Sequence, residues 1–100
     1  MIEMASYKLI GKIVKVNGEC HAGHYVGEEF DLTLFSEEMK RAHKTHRTPN
    51  LCAFFYNVLF PYIVTLQFGG SFPWEHDKNL FEAGCPDNYK VVMEIRRIET

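Results

Sequence analysis

Three cysteines and one histidine carry most of the chemical potential of this sequence. Cys20 lies in Glu19-Cys20-His21-Ala22-Gly23-His24, Cys52 follows Pro49-Asn50-Leu51, and Cys85 opens Cys85-Pro86-Asp87. Three thiolates and one imidazole form a tetrahedral zinc ligand set, so Cys20, His24, Cys52 and Cys85 are the candidate metal ligands and zinc the ion they would take. Structural zinc sites pair their ligands two to four residues apart, and here Cys52 and Cys85 stand alone. Buried, reduced thiols acting as small hydrophobes are the competing reading. A thiol enzyme is a third. Cys52 falls in the first turn of an expected helix, where the positive helix end stabilises a thiolate, and His24 could act as base to Cys20. There is no Cys-x-x-Cys pair, which argues against thioredoxin-like exchange.

A second candidate is the stretch from Gly69 to Asp77. Gly69 and Gly70 allow close backbone approach to a ligand, and Phe72 and Trp74 could wall an apolar site. The same residues read structurally as a Gly-Gly helix stop followed by Trp74 plugging the core. The chain has no phosphate-binding glycine loop, no G-x-S-x-G elbow and no H-E-x-x-H, and no two carboxylates are spaced as an acid/base pair.

The elements that must position these residues follow from hydropathy. Tyr7 to Val16 is rich in β-branched residues and ends at Asn17-Gly18, a turn signal; Gly11 is a candidate bulge. Tyr25 to Phe35 is a second extended segment. Ser36-Glu37-Glu38 starts a short charged helix whose basic end includes Lys40, Arg41 and Lys44. Thr48-Pro49 starts another, with Leu51, Phe54, Phe55, Val58, Leu59 and Tyr62 apolar almost all round, which predicts burial on most sides. Pro61 predicts a kink or break near Phe60 and a second helical piece reaching about Phe68. Leu80 to Ala83 is ambiguous between strand and helical turn. Lys90 to Ile98 is the clearest strand, with Val91, Met93 and Ile95 on one side and Glu94 and Arg96 on the other, suited to pairing with the first strand.

The expectation is one α+β domain over residues 1–100: a small antiparallel sheet or partial barrel packed on one central apolar helix, kinked or broken near Pro61, with the short charged helix beside it.

The order Cys20-x-x-Gly23-His24-x-x-Gly27-x-x-Phe30, Phe68-Gly69-Gly70-x-Phe72-Pro73-Trp74 and Cys85-Pro86-Asp87 resembles a family of small uncharacterised prokaryotic proteins of about this length. The resemblance covers about Lys8 to Ile98. It implies a single compact prokaryotic domain and no particular activity, substrate or cofactor. The stretch from Leu34 to Arg47 is longer and more charged here than the family's connection, and His21 stands where the family pattern has proline.

Composition narrows function further. The chain has 100 residues, 46% of them hydrophobic, and a formal net charge of −2. With no basic stripe, nucleic acid is not an expected partner. Leu51 to Phe68 is just long enough to span a bilayer, but Asn57, Pro61, Thr65 and Gln67 interrupt it, so no membrane partner is expected either. The odd cysteine count, and a first stretch lacking the basic-then-apolar layout of a signal peptide, predict reduced thiols and a cytoplasmic location. An apolar helix in a chain too short to enclose it predicts self-association. The preferred expectation is therefore a non-enzymatic binding or structural domain that homo-oligomerises, with zinc binding and thiol chemistry as alternatives.

Overall fold

Alternation in the last segment builds the middle of a sheet. In the computed structural model, which describes residues 7–20, 22–34 and 50–99, Val91, Met93 and Ile95 are buried and Arg96 and Ile98 are exposed. This is β4 (Val91–Glu99), and it pairs antiparallel with β1 (Tyr7–Val16) as the alternation anticipates. Glu29–Asp31 forms β2 on the far side of β1, and Leu80–Gly84 forms β3 on the far side of β4. The ambiguous Leu80 to Ala83 segment is thus a strand. The order β2-β1-β4-β3 is an open four-stranded antiparallel sheet rather than a partial barrel.

Gly11 does not mark the irregularity in β1. It pairs in register with Ile95, and the register shifts between Ile13 and Lys15 instead. Gly11 faces the core, and a Cβ there would lie 2.6 Å from Met93 Sδ and 2.8 Å from Leu32 Cδ1. The glycine makes room for two neighbouring core side chains.

One helix, α1 (Ala53–Gln67), covers a single face of the sheet. Phe55, Leu59, Ile63 and Leu66 recur at helical spacing and are fully enclosed with Leu9, Ile13, Met93 and Ile95. Each such side chain contributes about 1.5–3 kcal/mol by leaving water. The helix is apolar almost all round yet buried on one face only, because a four-stranded sheet offers a single layer to pack against. Nor does Pro61 divide it: one helix spans residues 53–67, with no second piece. Pro61 and Asn57, whose carbonyl the proline cannot bond, are both exposed residues, and Thr65 Oγ1 donates to the Pro61 carbonyl at 3.1 Å.

The C-terminal end of α1 follows the helix-stop expectation. Gly69 has φ +91°, a conformation that favours glycine. Its N–H donates to Leu66 O, and Gly70 N–H donates to Thr65 O. Gln67, buried, accepts from Leu34 N–H at 2.8 Å and donates to Tyr7 O at 3.1 Å, tying the helix to the end of the β1–β2 pair where β1 starts and the chain leaves β2.

Below the same helix end lies Arg97, 6% exposed. It continues the Val91, Met93, Ile95 phase into the core. Its guanidinium donates to Leu66 O (2.9 Å), Gly70 O (2.7 Å), Lys78 O (2.9 Å) and Asn79 Oδ1 (3.0 Å), and it lies 4.8 Å from the Tyr7 ring centroid. Among the described residues no carboxylate pairs with it. Its charge is met by carbonyl dipoles at the negative end of α1.

The charged helix expected from Ser36 onward, with His43 and His46, lies outside the described residues, as do His21 and the Thr48-Pro49 start. No helix among the described residues is long and apolar enough to cross a membrane.

The segment between α1 and β3 is fastened by Asp77, which accepts from Asn79 N–H at 2.9 Å and from Arg96 at 3.3 Å. The Asn79 backbone hydrogen bond holds the Asp77 carboxyl below its ordinary value of 3.8, against an opposing effect of desolvation, and Arg96 and His76 add smaller lowering effects. A carboxyl whose pKa is lower folded than unfolded stabilises the fold fully above its unfolded pKa, and loses that contribution as pH falls through the folded value. Asp77→Asn should therefore flatten the acid limb of the stability profile, compared as urea midpoints at about pH 3 and about pH 6. An unchanged drop in midpoint would remove Asp77 from the acid response.

Candidate functional site

The four nominated ligands come from three separate parts of the chain and meet at one cleft. Its volume is about 410 Å³, and Cys20, His24, Cys52 and Cys85 all line it, with Phe54, Phe55 and Val91 adding apolar wall and Asp87 and Lys90 a polar side. Cys20 and His24 come from the β1–β2 connection, Cys52 from the start of α1, and Cys85 from the turn between β3 and β4. All three cysteines are free thiols.

Each lining residue has a local reason for its place. Gly23 (φ +79°) turns the β1–β2 connection back, and its N–H donates to Cys20 O at 2.9 Å. Cys52 is the N-cap residue of α1, just ahead of the first turn, and its side chain caps no helical N–H. Its carbonyl accepts the first helical bond, from Tyr56 N–H at 2.9 Å. Cys85 closes its turn with its own thiol: Val91 N–H donates to Sγ at 3.4 Å, and Sγ–H donates to Asp87 O at 3.7 Å.

His24 ties the cleft together. Its side chain is 3% exposed, and it meets Phe30 edge-on with centroids 5.4 Å apart. Cys52 N–H donates to Nε2 at 3.2 Å, so Nε2 is unprotonated there. The proton then sits on Nδ1, which donates to Glu28 Oε1 at 2.9 Å. Both ring nitrogens are thus committed, and the arrangement requires the neutral ring.

This decides what the cleft can do chemically. To serve as a metal ligand, His24 would have to release either the Cys52 N–H or Glu28. Among the described residues no group of three or more His, Cys, Asp or Glu is arranged to hold a metal ion. The residues line one cleft but do not form a prepared zinc site in this arrangement. The thiol-enzyme reading needs His24 as base, and in this arrangement its unprotonated nitrogen accepts the Cys52 N–H. What remains is an apolar recess with three thiols on its wall.

No family model, curated protein or solved structure matches this chain. Function therefore has to be argued from its own geometry.

The Gly69 to Asp77 stretch divides. Gly69 and Gly70 end the helix, and Gly70 O is taken by Arg97. Phe72, not Trp74, plugs the core: Phe72 is buried, whereas Trp74 is 64% exposed. Trp74 lines a second cleft, beside β3.

Sequence reasoning missed Glu28, which holds the His24 proton, and Arg97. The i, i+4 spacing of His24 and Glu28 was visible, but spacing implies contact only in a helix, and this is a loop.

Proposed function

We propose that this chain is a small non-enzymatic binding domain that works as a homo-oligomer, with the outer face of α1 as the contact surface. The observation that carries this is the spacing of the side of α1 turned away from the sheet. Phe54, Asn57, Pro61 and Phe68 are all exposed and recur at intervals of three, four and seven, which is the spacing of a seam between packed helices. Phe54 is 78% exposed and Phe68 54%. No charged side chain occurs anywhere in Ala53–Gln67.

A solvated helix face ordinarily carries charge. This one has aromatic ends and an uncharged middle, which fits an apolar surface like itself. The stripe is also symmetric about Pro61: Phe54 and Phe68 stand equally far from it in sequence. An antiparallel two-fold pairing centred on Pro61 would set each Phe54 against the partner's Phe68, as a self-complementary interface requires.

Sedimentation at micromolar concentration tests this. The wild-type chain should run as a dimer or a higher closed oligomer. Phe54→Glu should weaken association by roughly 30-fold, the loss typical of an aromatic interface anchor, without changing the far-UV dichroism. A wild-type protein that sediments as a monomer would overturn the proposal.

A further inference from the structure

Beside the edge strand β3 is a second cleft, of about 320 Å³, lined by Tyr62, Trp74, Phe81 and Tyr89 together with Glu82. We infer that it binds a small cation of the quaternary-ammonium class, such as a trimethylammonium group.

Four aromatic residues from four different parts of the chain line it. Tyr62 of α1 stacks on Phe81 of β3 with centroids 4.4 Å apart, and Trp74 meets Phe81 edge-on at 6.3 Å. These contacts fix the floor and one wall. Trp74 is 64% exposed and Tyr89 66%, so both retain ring surface for a ligand. Aromatic faces carry negative quadrupole density and attract a cation whose own shell is methyl rather than water.

Tyr89 is held in place at a conformational cost. Asn88 and Tyr89 have φ +54° and +56°, a region where a bulky L-residue is an outlier. The turn that enforces this is closed by Tyr89 N–H to Cys85 O and Lys90 N–H to Asp87 O. The ring then lies over Gly84, where a Cβ would fall 2.5 Å from it. Thus the strained turn and a glycine without a side chain together set this ring against the edge strand.

The charge at the cleft has one sign. Among the described residues Glu82 is its only charged lining residue, with no lysine or arginine beside it. Glu75, next to Trp74, accepts the Glu82 N–H at 2.9 Å, which pins the Trp74 segment to β3 and brings a second carboxylate to its margin. The cleft is at the small end of ligand-site sizes, which suits a head group rather than a large ligand. Its aromatic wall and carboxylate rim favour a soft cation over an anion or a neutral apolar molecule.

Trp74 is the only tryptophan in the chain, so its fluorescence reports on this cleft alone. Choline chloride and its neutral carbon isostere, 3,3-dimethylbutan-1-ol, are titrated against the full chain and against Phe54→Glu, which keeps oligomerisation separate from ligand binding. Choline should give a saturable change with a Kd about tenfold lower than the isostere, the margin expected of a cation between aromatic faces. Trp74→Ala, followed by backbone amide shifts at Glu82 and Tyr89, should lose binding, and Glu82→Gln should weaken it several-fold. Equal affinity for the two probes would reassign the cleft to apolar ligands and overturn the inference. So would the lack of a saturable response to choline, or full binding by Trp74→Ala.

Discussion

Arg97→Met should lower the stability of the fold by about 3 kcal/mol, read as a shift of the urea midpoint at constant m-value. Methionine fills much of the same volume and regains apolar burial. It cannot replace four hydrogen bonds from a charged donor, each of a kind that contributes about 1.5–3 kcal/mol net, against which the cost of burying the charge is set. Removing a buried ion pair is often neutral because both charges leave together. Here only one partner leaves. Gly70 O just past the end of α1 and Lys78 O in the approach to β3 lose this donor at once, and Leu66 O keeps only the Gly69 N–H. For a domain whose whole stability is about 5–15 kcal/mol, that is a large fraction. Arg97→Lys should recover part of it, since an ammonium reaches one or two of these carbonyls but lacks the fork that spans them. A midpoint within error of wild type for Arg97→Met would show that the carbonyls find water, and that Arg97 is no clamp.

Arg97 also shows which parts of this fold a sequence makes legible. Two-residue alternation assigns faces, and it placed Val91, Met93 and Ile95 correctly. Carried one step further, the same alternation puts Arg97 on the core side, although its charge argues for solvent. Alternation won because α1 ends directly above it with carbonyls needing a donor, a fact of tertiary position. The helix invites the converse error. Its apolar composition predicts burial all round, but composition does not reveal how many layers are available to cover it. Phe72 and Trp74 make the same point over two residues: both are large and aromatic, and only the path of the chain after Gly70 decides which turns inward.

The cleft was legible by residue type and not by geometry. Cys20, His24, Cys52 and Cys85 were singled out because thiols and imidazoles have reactive chemistry, and they do line one recess. What spacing cannot encode is the direction of an imidazole edge. His24 and Cys52 are 28 residues apart, and it is the backbone N–H of Cys52, not its thiol, that meets Nε2. A donor set for a metal thereby becomes a fastener between a loop and a helix start.

That fastening makes His24→Ala the second large effect. The substitution should cost about 2–4 kcal/mol, combining the space left against Phe30 with a Cys52 N–H that loses its acceptor in a half-buried setting. Glu28 also loses the imidazole, but it is partly exposed and keeps the Tyr25 N–H, so it adds little. A merely destabilised core would raise the reactivity of all three thiols together. Release of this one fastener should instead raise the alkylation rates of Cys20, on the same loop as His24, and Cys52, at the helix start it binds, before that of Cys85. The Cys85 thiol is closed by its own turn, through Val91 N–H and Asp87 O, and depends on nothing that His24 touches. His24→Gln provides the control. Its side-chain carbonyl can accept the Cys52 N–H, so it should recover part of the stability and return Cys52 toward its slow rate. If His24→Ala leaves both stability and the order of thiol reactivity unchanged, the imidazole is a passive occupant, and the convergence of the three cysteines needs another cause.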